Sequence, residues 1–221
     1  CKYHIMRLLY WSMKRFVSFF YCLCALILLN SCKEGSSSSY EKDKVVEIKG
    51  NSYAPSIDAQ FILDKVQKQV DFGPRVPGTP EHRACGDWIV ENLNDSNLQV
   101  IEQSFPASTH TGQPFTGRNI IASYNPAAVK RILLCAHWDT RAFADKDNER
   151  QEEPIPGAND GGSGVAVLLE IARTIALDTV QPKIGIDFVF FDAEDGGAPA
   201  EFEGQALNDY GGYCIGSQYW S

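Results

Sequence analysis

The sequence lacks several features that mark whole classes of protein. It has no basic excess, since 28 acidic residues against 20 Lys and Arg give a net charge of −8, whereas a nucleic-acid binder needs a basic surface. It has no internal repeat and no phosphate loop ending in Gly-Lys-Ser/Thr. Val167 stands where a dinucleotide fingerprint needs glycine or alanine, and Val165 where a nucleophile elbow needs glycine. We therefore expect no nucleic-acid partner and neither of these two site types.

Cysteine and histidine are scarce in the body of the chain. After residue 32 the only cysteines are Cys85, Cys135 and Cys214, so at most one disulfide can form. Cys135 lies inside an apolar run, which favours a buried structural thiol. Of the four histidines in the sequence, only His137 lies in a candidate site motif.

The N-terminal residues have the pattern of an export signal. Lys14 and Arg15 precede an apolar run at 16–29, which is typical of a secretion signal rather than a membrane span. Leu29-Asn30-Ser31-Cys32 resembles a bacterial lipobox with Cys32 as the lipidated residue; the alternative is an ordinary signal peptide. The Ser-rich stretch at 33–39 predicts a flexible tether. We expect a cell-envelope protein, periplasmic or facing the outer membrane, that meets the membrane through its lipid anchor only.

These features predict four segments. Residues 1–12 lie upstream of the expected start, 13–31 form a lipoprotein signal peptide, 32–51 hold the lipidated cysteine and tether, and 52–221 form the folded domain. Because the chain ends in an apolar-aromatic stretch without a stop signal, we expect that domain to be C-terminally truncated.

Residues 52–221 alternate between helical and strand patterns. The first predicted helix covers 56–70, with Ser56 as its cap. The second begins at Thr79 and Pro80 and has the apolar stripe Ala84, Trp88, Ile89 and Leu93, and the third covers 164–176. Predicted strands cover 99–105, 119–124, 131–137 and 185–192. The apolar run at 131–137 favours a central strand. The order strand, helix, strand is typical of a parallel α/β unit with a right-handed crossover.

Two adjacent acids follow the most apolar strand. The run Phe188–Phe191 leads into Asp192-Ala193-Glu194-Asp195, and ligands bind past the carboxyl ends of strands in open parallel sheets. Glu194 and Asp195 repel each other, and a metal ion or a shared proton would relieve that repulsion. The alternative is a solvated acidic turn.

A histidine and an aspartate end the third strand. His137 and Asp139 are two residues apart, which places them on one face. An imidazole beside a carboxylate is either a metal ligand with its orienting partner or a general base with its orienter. A hydrogen-bonded surface pair is the alternative.

A glycine-rich turn carries the third motif, Gly157-Ala158-Asn159-Asp160-Gly161-Gly162-Ser163-Gly164, just before a helix. Its small residues allow close backbone approach, and an acid such as Asp160 is favoured near a helix N-terminus. Simple capping by Asp160 or Ser163 is the alternative. If the three strand ends are neighbours, their oxygen and nitrogen donors suit zinc.

Together these motifs resemble the zinc-peptidase-like (M28-type) family, which contains aminopeptidases and glutaminyl cyclases. The resemblance is closest to animal-type glutaminyl cyclases, here of a bacterial lipoprotein kind. It rests on His137–Asp139, Gly157–Asp160 and Phe190–Asp195, and is extended by Val76–Pro80, Asn119–Pro126 and Tyr213–Gln218. It implies a mostly parallel or mixed central sheet with helices on both faces.

The resemblance also implies residue roles. Asp160 and Asp195 correspond to zinc ligands and Glu194 to the general acid-base. His137 matches a ligand of the second metal in two-metal aminopeptidases, and Asp139 the residue that orients it. Asp195 replaces the glutamate of animal enzymes, residues 196–204 lack their tryptophan, and the family's last histidine ligand has no counterpart here.

The resemblance implies that N-terminal glutamine of peptides or proteins is converted to pyroglutamate with release of ammonia, using one zinc ion. With two metals the same residues would serve an aminopeptidase, and a non-catalytic binding lipoprotein is a third hypothesis. For the chain as it stands we expect weak zinc binding and no activity, because only two of the implied cyclase ligands are present.

Overall fold

The computed structural model describes residues 53–199 and 212–221. The expected signal peptide, Cys32 and the tether lie outside these residues. Within the described part, no helix combines the length and hydropathy needed to cross a bilayer.

The described helices and strands follow the predicted order, and a short helix follows at residues 215–220. In chain order they are α1 (Ala59–Asp71), α2 (Pro80–Asp95), β1 (Gln99–Ser108), β2 (Pro114–Tyr124), β3 (Arg131–His137), α3 (Gly162–Leu177), β4 (Gly185–Phe191) and α4 (Ile215–Trp220). The largest difference is in β2, which was predicted from Asn119 and begins at Pro114. Its extra residues pair with the end of β1.

Helix α1 is capped by Asp58 and not by the predicted Ser56. The Asp58 carboxylate accepts a hydrogen bond from the Phe61 backbone N–H at 3.0 Å. The Asp58 N–H donates in turn to Glu170 Oε1 on α3 at 2.7 Å. Since both aspartate and serine are favoured caps, the helix start is decided by the contact with Glu170.

Helix α2 begins as predicted and buries a slightly different face. Thr79 accepts from the His82 N–H, and proline occupies the first turn. The buried positions are His82, Cys85, Gly86, Ile89 and Leu93. Ala84, predicted to be in the apolar stripe, is exposed. Its side chain is a single methyl group, which is a weak indicator of the buried face.

The sheet is mixed, with strand order β1-β2-β4-β3. β1 with β2 and β2 with β4 pair antiparallel, while β3 and β4 pair in parallel, with His137 opposite Phe191. Helix α3 packs against β3, and α4 packs against β1 and β2. The predicted α/β class with a mixed central sheet is confirmed, as is the parallel pairing across α3.

The prediction that β3 is central is wrong for the described residues, where β3 is the edge strand. Ile132 and Leu133 are 44% and 46% exposed. Cys135 is also exposed, so the prediction of a buried thiol there is wrong too. A continuous apolar run indicates a strand that can be buried on both faces. The run does not identify the elements that pack on those faces or the strands that pair on either side.

The hydrophobic core lies between α2, α3 and the sheet. Its members are Cys85, Ile89, Leu93, Ile120, Ala122, Trp138, Val165, Leu168, Leu169, Ala172, Ile175, Ile186, Phe188 and Phe190. Burial raises the pKa of the Cys85 thiol to about 12, so this cysteine is a packing residue. The core holds the ends of β3 and β4 side by side, which positions the candidate site.

Candidate active site

The parallel strands β3 and β4 end next to each other. His137 lies opposite Phe191 in the register, and the Trp138 N–H donates to the Phe191 carbonyl at 3.1 Å. Residues that follow the two strands are therefore neighbours in space. The sequence motifs around His137 and Glu194 meet at this edge of the sheet, as their strand-end positions predict.

His137 lies at the centre of three acidic residues. Its Nε2 is 3.0 Å from Asp160 Oδ1, and its Nδ1 is 3.6 Å from Asp139 Oδ1 and 3.9 Å from Glu194 Oε2. Nδ1 is buried and has no hydrogen-bond partner among the described residues. Burial lowers the pKa of His137, but Asp139, Glu194 and Asp160 together raise it to about 9.

Asp139 holds the acidic turn through the backbone. Its fully buried carboxylate accepts from the Glu194 N–H at 3.0 Å and from the Asp195 N–H at 3.1 Å. Its distance to His137 Nδ1 exceeds a normal hydrogen bond. In this structure Asp139 fixes the two acids that follow β4.

Glu194 faces the open side of the site. Its side chain is 37% exposed, so a substrate can reach it. The Cys214 N–H donates to the Glu194 carbonyl at 2.8 Å, and the Cys214 thiol donates to Glu194 Oε1 at 3.4 Å. Burial, followed by the interaction with Glu194, raises the pKa of Cys214, so the thiol stays protonated as a donor.

Asp195 is the more buried of the two adjacent acids. Burial raises its pKa, the Arg141 guanidinium at 3.6 Å opposes that effect, and Asp160, Asp139 and Glu194 raise it further, to about 6. Arg141 also forms a two-point contact with Asp145 at 2.9 and 2.7 Å. The site thus has an excess of negative charge that a single arginine only partly offsets.

The glycine-rich turn passes directly beneath His137. Gly161, with φ 78°, is the N-cap of α3, and a Cβ there would lie 3.2 Å from His137 Cε1. Asp160 makes no capping contact, and Ser163 Oγ donates to the Asn159 carbonyl instead. Capping therefore does not explain Asp160, whose side chain is 65% exposed and open to a ligand.

A cleft of about 630 Å³ opens beside these acids. The segment 141–156 forms most of its wall, and Asp160, Asp195 and Tyr213 line its inner side. This volume lies in the range of small-molecule sites, roughly 300–1,000 Å³. Arg75, buried behind the cleft, donates to the carbonyls of Pro156 and Gly157 and so fixes the loop that carries Asp160.

The donors near His137 fit zinc in kind, although among the described residues they are not grouped as a formed metal site. Within residues 53–199 and 212–221, no three His, Cys, Asp or Glu side chains are grouped so as to hold a metal ion. In kind the donors do fit, since Asp160 and Asp195 offer carboxylate oxygens and His137 a buried nitrogen without a partner. Burial and, after it, repulsion from Asp160, Asp139 and Glu194 raise the pKa of Asp195, and a bound cation would favour its ionised form.

The sequence motifs did not reveal two contributors behind the site. His82 and Asp192 form a buried pair, with Nε2 2.7 Å from Oδ1. The signal for His82 was its helical spacing from Cys85, Ile89 and Leu93, which puts it on the buried face of α2. Asp192 belongs to the predicted motif, but two more prominent acids follow it.

Comparison with known proteins finds similarity to one peptidase family. Residues 119–221 match the sequence profile described as Peptidase family M28. Over 165 residues the chain is 27% identical to the glutaminyl-peptide cyclotransferase of Drosophila melanogaster, covering 71% of this chain and 43% of that protein.

Solved structures with similar folds come from bacteria. The glutaminyl cyclase of Bacteroides thetaiotaomicron, bound to N-acetylhistamine, is 46% identical with a TM-score of 0.70, covering 76% of this chain and 57% of that one. A Zn-dependent exopeptidase of Parabacteroides distasonis is 44% identical with the same TM-score, covering 76% and 56%. The chain thus spans less than half the length of the curated relatives it matches and somewhat more than half of these solved chains.

Proposed function

We propose, from the premise that residues 119–221 belong to peptidase family M28, that the chain is part of a zinc-dependent glutaminyl-peptide cyclotransferase. Its substrates would be peptides or proteins with N-terminal glutamine. The observation that carries the proposal is that Asp160 and Asp195 line one cleft, while Asp160 and Glu194 both lie close to His137, at 3.0 and 3.9 Å. Similarity to glutaminyl cyclases at 46% identity supports this reaction.

Asp160 and Asp195 would hold one zinc ion, since both line the cleft and Asp195 lies in a cluster of acids. His137 is a candidate ligand for a second metal. When bound, zinc would polarise the γ-amide carbonyl of the substrate. Glu194 would transfer the proton, and the cleft would hold the substrate in a reactive conformation.

Glu194 would move the proton in the cyclisation. The α-amine of the substrate attacks its own γ-carbonyl carbon, a new C–N bond forms, and the bond to the amide nitrogen breaks. The Glu194 carboxylate takes the proton from the attacking amine and returns it to the leaving nitrogen, which departs as ammonia. No water is consumed, so much of the acceleration comes from holding the glutamine side chain folded back on its amine.

Aminopeptidase activity is the second candidate. The observation that favours it is the 3.0 Å distance between His137 Nε2 and Asp160 Oδ1, which places an imidazole where a second metal could share Asp160. The similarity to a Zn-dependent exopeptidase points the same way. In that reaction Glu194 would take a proton from an attacking water instead of from the substrate amine.

One assay separates these functions. The full-length zinc-loaded protein is incubated with a peptide that begins with glutamine, and with the same peptide acetylated at its α-amine. Cyclisation predicts ammonia release from the first peptide only, with no free amino acid. Release of free N-terminal residues without ammonia would favour the aminopeptidase, and neither product would favour the binding lipoprotein.

We propose in addition that the protein is lipid-anchored in the cell envelope. The support is the sequence alone, in the lipobox-like Leu29–Cys32 and the Ser-rich stretch that follows. Such an anchor would place the cleft near secreted or periplasmic peptides, whose N-termini are free to enter it.

A further inference from the structure

Ala193, between β4 and the two acids, has a backbone conformation that L-residues rarely adopt. Its φ is 53°, and it is fully buried. Non-glycine residues persist in this region only where their surroundings hold them, and such positions concentrate at functional sites. The conformation of Ala193 sets the direction in which the chain continues from β4 to Glu194. The contacts that stabilise this conformation therefore also position Glu194.

The carboxylate of Asp192 holds Ala193 in this conformation. Asp192 is fully buried, and its Oδ1 accepts from the Ala193 N–H at 2.7 Å and from His82 Nε2 at 2.7 Å. Its Oδ2 accepts from the Arg118 N–H at 2.7 Å. The carboxylate thus bridges the strained residue to helix α2 and strand β2.

The backbone of Asp192 is fixed as well. Its N–H donates to Asn119 Oδ1 at 3.1 Å, and its carbonyl accepts from the Gly216 N–H at 3.1 Å. A Cβ on Gly216 would lie 2.2 Å from that carbonyl oxygen, so only glycine permits this approach. These contacts hold the backbone of Asp192 in place independently of its side chain.

The ring of His82 makes one polar contact with the described residues, and that contact is with Asp192. His82 is 2% exposed, and its ring stacks on Trp138 with centroids 4.1 Å apart and planes 12° apart. Its Nδ1 has no hydrogen-bond partner within the described residues. Asp192 Oδ1, which accepts from the Ala193 N–H, lies 2.7 Å from Nε2, so the tautomer protonated at Nε2 is the one that can donate to it, and the stacked ring holds that nitrogen in place.

We propose that Asp192, oriented by His82, is a positioning residue that fixes the left-handed turn at Ala193 and thereby directs the Glu194 carboxylate towards His137 in the candidate site. This inference rests on the proposed function in so far as Glu194 is the acid-base. Neither His82 nor Asp192 touches the substrate. Their effect passes through the backbone of Ala193, whose carbonyl also accepts from the Ile215 N–H at 3.0 Å.

The test compares two substitutions of His82 in the full-length zinc-loaded protein. His82→Leu keeps the volume but removes the donor to Asp192, whereas His82→Gln keeps an amide N–H donor. A small displacement of a catalytic group can cost about 10²-fold in rate, so His82→Leu should lower kcat about 10- to 100-fold. KM and zinc content should stay near wild type, and His82→Gln should recover most of the rate.

A purely structural role would give a different result. It would lower the melting temperature and the folded fraction, while kcat per zinc-loaded molecule stayed at the wild-type value; that result overturns the proposal. If His82→Leu does not fold, Asp192→Asn takes its place, because the amide cannot accept from both Arg118 and Ala193 as the carboxylate does. Wild-type rates in Asp192→Asn would overturn the proposal equally.

A crystal structure of His82→Leu or Asp192→Asn tests the geometry without any assay. We expect Ala193 to leave its left-handed conformation and the Glu194 carboxylate to move. An unchanged turn would overturn the inference. If the wild-type protein releases neither ammonia nor amino acids, the proposed function fails, while this structural comparison still decides whether Asp192 positions Glu194.

Discussion

At the scale of single residues, the proposed reaction depends on Glu194. Glu194→Gln removes the group that moves the proton and keeps nearly the same volume, and the backbone contacts of Glu194 with Asp139 and Cys214 remain available. General acid-base catalysis contributes about 10²–10⁴-fold, so ammonia release should fall by at least that factor. Zinc content should change little.

The control for this variant is Glu91→Gln, the same substitution at an exposed position on α2, away from the cleft. It should retain the wild-type rate. A Glu194→Gln enzyme within a few-fold of wild type would show that another group moves the proton.

Asp160 and Asp195 are expected to bind the metal. Asp160→Ala and Asp195→Ala should each lower zinc content after purification, because a catalytic zinc normally has about three protein ligands and cannot spare one. Elemental analysis of the purified variants measures this, with Asp64→Ala, an exposed position on α1, as the control. Full zinc occupancy in both variants would exclude them as ligands.

The sequence indicated Asp160, Glu194 and Asp195 because each follows an apolar strand or precedes a helix with an unusual glycine density. His82 could not be recognised in the same way, since one histidine on a buried helix face has the same spacing whether it packs or orients another group. The role of Asp139 was also not visible in sequence. Its contacts are with the backbone of residues 55 and 56 positions away, which only the folded chain brings near.

At the scale of elements, helices α1 and α3 are joined by a buried glutamate. Glu170 accepts from the Asp58 N–H at 2.7 Å and from Arg173 Nε at 2.6 Å. Burial raises its pKa, but these donors outweigh burial and the net pKa lies below the ordinary 4.5. The ionised carboxylate is therefore the form that stabilises the contact between the helices.

The sign of the pH dependence follows from this shift. Because the folded-state pKa is below the unfolded one, Glu170 adds stability above its unfolded pKa and loses it as pH falls through the folded value. Glu170→Gln should therefore unfold more easily at neutral pH, and the difference from wild type should shrink as the pH falls below the ordinary glutamate pKa and through the lowered pKa of the folded state. Urea unfolding at a series of pH values measures it; a difference independent of pH would assign the effect to packing alone.

The positions of the elements along the chain were predictable, because apolar periodicity and cap residues are local signals. The place of β3 at the edge of the described sheet was not, because neighbours in a sheet are chosen by long-range packing. The start of α1 was also decided at long range, since Asp58 was selected over Ser56 by a partner 112 residues away.

At the scale of the whole molecule, the net charge of −8 and the acidic cluster bear on which peptides approach the cleft. Asp145, Asp147 and Glu153 join Asp160 and Asp195 along its lining, against the cations Arg141, Lys146 and Arg150. A free N-terminal amine is a cation at neutral pH, and the negative groups at the inner side of the cleft would attract it. This favours substrates with an unblocked N-terminus, as the proposed reaction requires.

Attachment to the membrane is expected to depend on one cysteine outside the described residues. Cys32→Ala removes the thiol that would carry the lipid and leaves the apolar run at 16–29 intact. Cys24→Ala, within that run, is the matched control because it changes the same residue type without touching the lipobox-like Leu29–Cys32. Fractionation of expressing cells should show wild type and Cys24→Ala with the membranes and Cys32→Ala in the soluble fraction. Without the lipid, Cys32→Ala has no membrane-spanning helix among the described residues to keep it with the membranes. Metabolic labelling with a fatty acid should mark the first two proteins only. Cys32→Ala that stays with the membranes would contradict the lipoprotein proposal and leave the ordinary signal peptide as the explanation of residues 13–31.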